Sequence, residues 1–64
     1  MLSNYDRGSI GNILAGEGDW FTANLLRLIA KADSHNIELL RKGFPEAVEA
    51  VEAYRKAPKR PNDG

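Results

Sequence analysis

The single histidine, His35, stands in the run Asp33-Ser34-His35-Asn36, where an acid, a hydroxyl and an imidazole follow one another. Acid–base or nucleophilic catalysis needs such groups as an oriented pair, base beside nucleophile. Asp, Ser and Asn are also the residues that cap helices, so a polar corner between two helices explains the run without any chemistry. A metal ion at His35 needs at least two more ligands, and Asp33 and Glu38 offer only oxygen. We therefore expect no enzyme here, with no catalytic residue, no metal ligand and no cofactor.

A second group has the spacing of a binding surface. Trp20, Asn24, Arg27 and Lys31 stand at i, i+4, i+7 and i+11, one stripe of a helix whose other positions are apolar. Trp and Arg in one exposed stripe are the composition of a protein-interface hot spot, and these four are the candidate partner-binding residues. The competing reading is that Trp20 covers the core against Ile10, Ile13 and Leu14. Tyr5 and Tyr54 share the ambiguity, with the core edge the better place for Tyr54. A helix-turn-helix is the third reading, since a long helix, a polar corner and a short helix follow in order. Its second helix, His-Asn-Ile-Glu-Leu-Leu-Arg-Lys, carries an acid in mid-face and only two bases, which is poor for phosphate contact.

These residues must be positioned by a chain of 64 residues with no cysteine, so one apolar core has to supply all the stability. The periodicity predicts an all-α fold, three or four short helices packed around a central helix over about residues 20–32. Nine of the thirteen residues from Trp20 to Ala32 are apolar, without Gly or Pro. Asp19 is the expected N-cap of this helix, after a Gly16-Glu17-Gly18 turn. A short helix is expected over about Ser9–Ala15, with Ser3 and Asp6 forming a weak capping box before it. Another helix is expected from Ser34 or His35 to Lys42, closed by Gly43 with Phe44 folding back. The last helix begins at Pro45, carries Glu46 and Glu49 early and Arg55 and Lys56 late, and pairs Glu52 with Lys56. The expected core is Leu25, Leu26, Leu28 and Ile29 with Phe21, Ile37, Leu40, Val48 and Val51. Residues 1–57 form one helical domain, and 58–64 a disordered basic tail.

Nine basic and nine acidic side chains give a net charge of zero, which argues against a basic nucleic-acid binder and an acidic DNA mimic alike. Met1–Asp6 lacks the basic and apolar regions of a secretory signal, and no apolar run nears the roughly 20 residues that cross a bilayer, so a cytoplasmic protein is expected.

Trp20-Phe21-Thr22, the run Leu25 to Asp33, Asn36, Leu40, Gly43-Phe44-Pro45, Val48 and Tyr54 together resemble a group of small uncharacterised proteins of bacteriophages and mobile elements. The pattern covers residues 20–54. The resemblance implies a phage or mobile-element origin, in a bacterial host, and no particular activity. Together, size and resemblance predict a non-enzymatic accessory protein that binds and modulates a host or phage protein, such as an anti-defence or anti-CRISPR inhibitor. The alternative is a small helix-turn-helix-like nucleic-acid-binding regulator. A helix apolar over more than half its surface, with three short segments to cover it, also predicts a homodimer in which apolar residues of the central or last helix cross the axis.

Overall fold

The computed structural model describes residues 1–56; the tail expected over 58–64 lies outside them. The described residues are all-α, in five helices: α1 (Asn4–Gly8), α2 (Ile10–Leu14), α3 (Phe21–Lys31), α4 (Ser34–Gly43) and α5 (Pro45–Lys56). None is long and apolar enough to cross a membrane.

The N-terminal segment forms two short helices rather than one. Ser3 caps α1 with a full capping box: its hydroxyl accepts from the Asp6 amide (3.0 Å) while the Asp6 carboxylate accepts from the Ser3 amide (3.2 Å). The chain then passes through Ser9 into α2, whose Ile10 and Ile13 are buried. Five-residue helices do not persist alone, so α2 is held by docking against α3 and α5, and α1 by its contact with α2, the Trp20–Asp6 hydrogen bond and the Arg7–Glu46 ion pair.

The turn into α3 needs its glycines, since Gly16 and Gly18 both take positive φ (118° and 89°). Trp20, and not Asp19, occupies the N-cap position, with extended φ and ψ of −78° and 166° and no side-chain cap bond. The indole of Trp20 is anchored on α1, which sets where the helix starts and leaves Asp19 one residue outside it. The α3–α4 corner is two extended residues, Ala32 and Asp33, and the Asp33 carboxylate caps α4 by accepting from the Asn36 amide (2.8 Å).

Gly43 ends α4 within the helix, without the left-handed conformation expected of a closing glycine, and Phe44 follows in an irregular cap. Phe44 does turn back on the core, and Pro45 opens α5 as expected. Glu52 pairs with Arg41 on α4 (3.1 and 2.8 Å) instead of with Lys56. A planar guanidinium that meets both carboxylate oxygens outcompetes a flexible ammonium one turn away.

The core is Ile10 and Ile13 of α2, Ala23, Leu25, Leu26 and Ile29 of α3, and Ala47, Val48, Ala50 and Val51 of α5. The alanines let α3 and α5 approach closely, and each large aliphatic sealed between them contributes about 1.5–3 kcal/mol. The expected core needs correction at two places. Phe21 and Leu28 are 67% and 50% exposed, and Leu39 on α4 is likewise 52% exposed. The reason is topological: α4 rests on α5 rather than on α3, so the sector of α3 that carries Phe21 and Leu28 has no helix over it. Helix α4 consequently has no fully buried residue, and Ile37 and Leu40 are only partly covered.

Candidate functional site

The stripe on α3 divides into two parts. Trp20 donates its indole N–H to the Asp6 carboxylate (3.0 Å), and its ring lies 5.9 Å from that of Tyr5, tilted by 50°. It passes directly over Gly18, where an added Cβ would stand 2.2 Å from the ring. Asn24, one turn along, donates to the Asp19 carbonyl (3.0 Å). Arg27, a further turn along, reaches back under the α2–α3 turn. Its guanidinium donates to the carbonyls of Ile13 (2.9 Å), Glu17 (2.9 Å) and Gly18, and to Oδ1 of Asn24 (2.8 Å). Those carbonyls belong to the end of α2 and to the glycine turn, beyond the regular helical ladder; the Gly16 amide shares that of Ile13 (3.0 Å). Arg27 and Asn24 are therefore a brace for the turn.

Lys31 is not part of that brace. It is exposed and makes no hydrogen bond or ion pair among the described residues, at the rim of an open groove between α3 and α4. The groove has a volume of about 520 Å³; Leu28, Leu39 and Leu40 form its apolar surface, and Lys31, Asp33 and Asn36 its polar edge.

The buried carboxylate of Asp6 holds the other end of the site. Burial pushes this carboxyl up, but the Ser3 amide, the Trp20 indole and the Ser3 hydroxyl outweigh it and hold it below the ordinary aspartate value. Trp20 thus anchors to a charge fixed by the capping box of α1, with its ring still 38% exposed beside Tyr5. Sequence reasoning missed this pairing because Asp6 already has a local role as a capping residue, and nothing in the spacing points fourteen residues ahead. It missed the groove for a different reason. Phe21, Leu28 and Ala32 do share one stripe of α3, yet the stripe reads as core unless the docking of α4 is known.

Nothing assembles around His35. His35 and Ser34 are exposed in the first turn of α4, and the Asp33 carboxylate is engaged as the cap. No group of three potential ligand side chains stands close enough to hold a metal ion among the described residues. Among the described residues the arginines are committed within the chain. Arg41 pairs with Glu52 and Glu38, Arg7 with Glu46, and Arg55 donates to the Ala30 carbonyl. Searches against protein-family models, curated proteins and solved structures find no match to this chain.

Proposed function

We propose that this chain is a small non-enzymatic accessory protein of a phage or mobile element, acting by binding and modulating a host or phage protein, as an anti-defence or anti-CRISPR inhibitor would. The observation that carries the reading is the exposed aromatic pair Tyr5–Trp20, whose indole is anchored on the Asp6 carboxylate. An indole fixed by a buried carboxylate and a glycine turn loses little freedom on binding, which is what makes exposed Trp and Tyr effective anchors. Trp20 and Tyr5 make the contact, and Asn24 and Arg27 hold the turn behind them. Lys31 lies beyond this surface, at the groove.

Affinity capture from host lysate with mass spectrometry tests the reading, with a Tyr5→Ser chain as control. The expected result is a stoichiometric protein partner captured by the native chain and lost with Tyr5→Ser, whose helical signal and melting stay unchanged. Nucleic-acid regulation is poorly supported by the committed arginines, and Lys42 is the one basic residue on α4 left outside an ion pair among the described residues. A salt-dependent shift of DNA mobility with no protein captured would replace the proposal with that second reading.

A further inference from the structure

The groove between α3 and α4 is a surface separate from the aromatic pair, and its lining is divided between the two helices in a particular way. Helix α3 contributes Leu28 and Lys31, an apolar residue and a cation. The α4 side contributes Leu39 and the partly covered Leu40, with Asn36 and the Asp33 anion at its polar edge. Within one chain these halves do not satisfy each other. Lys31 forms no ion pair with Asp33, only one oxygen of the Asp33 carboxylate is engaged, by the Asn36 amide, and Leu28 and Leu39 stand half exposed. Each half is the complement of the other, apolar to apolar and positive to negative.

A surface of two mutually complementary halves is what a two-fold axis requires, because an isologous contact sets residue i against j and j against i. We propose that the α3–α4 groove is the interface of a symmetric homodimer, in which Leu28 and Lys31 of one copy meet Leu39 and Asp33 of the other, and the reverse. The axis passes beside the Ala32–Asp33 corner, where Lys31 and Asp33 lie close together along the chain. That position brings the two charged pairs to the centre line and leaves the leucine pairs on either side. Helices α3 and α4 stand apart because each packs on α5, which leaves room for the partner's side chains to enter. A zero net charge places no long-range repulsion against self-association. A heterologous partner explains the open groove but not the match between its two halves.

Light scattering over a dilution series from about 1 µM to 1 mM reads the oligomeric state, and paired variants read the pairing. The native chain is expected to show two-chain mass at the upper concentrations. Leu28→Lys and Leu39→Glu, each at a half-exposed position, are each expected to keep the native circular dichroism and to raise the dimer dissociation constant at least about thirtyfold. Mixed in equal amounts they are expected to recover the two-chain mass, since the lysine introduced in one chain then faces the glutamate introduced in the other across one half of the interface. Lys31→Glu, a surface change that leaves the fold untouched, sets like charges at the centre. It is expected to raise the dissociation constant about tenfold at low salt and less at 1 M salt. Single-chain mass throughout with the helices intact, a dimer that survives either leucine variant, or folded variants that stay monomeric when mixed would each overturn the proposal.

Discussion

Replacing Arg27 by methionine keeps the stem that lies along α3 and removes the guanidinium that braces the turn. Four acceptors lose this donor: the carbonyls of Ile13, Glu17 and Gly18, and the Asn24 side chain; the Ile13 carbonyl keeps the Gly16 amide (3.0 Å). The bonds to Glu17 and Asn24 are exposed, so water replaces them at little cost. The bonds to Ile13 and Gly18 are partly buried, and hydrogen bonds from a charged donor contribute about 1.5–3 kcal/mol each where water is excluded. Discounting for partial exposure, and for the Gly16 amide that the Ile13 carbonyl keeps, the loss is about 2–3 kcal/mol. A chain of 64 residues holds roughly 3–10 kcal/mol of stability in all, so the change removes a large share. Urea denaturation followed by far-ultraviolet circular dichroism measures it directly, and the melting temperature should fall by about 10–25 °C. Arg27→Lys separates charge from geometry: one ammonium cannot span carbonyls on both sides of the turn, so less than half of the stability should return. A midpoint for Arg27→Met within error of the native chain would refute the brace and return Arg27 to the surface as a free binding residue.

Three further outcomes follow from the packing and the electrostatics. At concentrations low enough to keep the chain monomeric, Ile29→Ala should cost about 2–5 kcal/mol in chemical denaturation and Leu28→Ala within about 0.5 kcal/mol, although the two residues are neighbours on the same helix. Gly18→Ala should lower the melting temperature more than Gly16→Ala: both carry positive φ, but only at Gly18 would the new Cβ strike the Trp20 ring. The carboxyls of Asp6, Glu46 and Glu52 are held below their ordinary values, Asp6 by its three donors against its burial, Glu46 chiefly by the terminal ammonium and Glu52 chiefly by Arg41. In the acid range the folded chain therefore binds fewer protons than the unfolded chain, and stability rises with pH there. The melting temperature should stay level from about pH 7 to pH 5 and fall below the ordinary carboxylate range near pH 4. Asp6→Asn should flatten part of that fall.

The local punctuation of the fold was legible because each signal is carried by residues a few positions apart. Ser3 with Asp6, Asp33 before α4, Pro45 at the head of α5 and the turn glycines all act through backbone groups within one helical turn of themselves. The exposed sector of α3 was not legible, because periodicity reports which residues are apolar and not which neighbours arrive to cover them. Phe21, Leu28 and Leu25 share one side of the helix, yet only Leu25 is buried. The deciding fact is that α4 leans on α5, a contact between residues such as Arg41 and Glu52 that no local pattern announces.

The stripe on α3 shows why a binding surface and an internal brace look alike in a sequence. A hot spot needs a large ring and a multiply donating cation on one face of a helix, and so does a helix that must hold a polar turn in place. The difference lies in where the acceptors are. Arg27 finds three backbone carbonyls on its own chain, at the end of α2 and in the glycine turn, so its donors are already committed. Trp20 has a single donor, accepted by Asp6, and its ring is covered on one side by Gly18 and remains partly exposed on the other. Lys31 has three donors and no acceptor within its own chain among the described residues. The free valences of the stripe are therefore a ring face at one end and an ammonium at the other. They lie on opposite sides of the brace, which is why they are assigned to two different contacts and not to one.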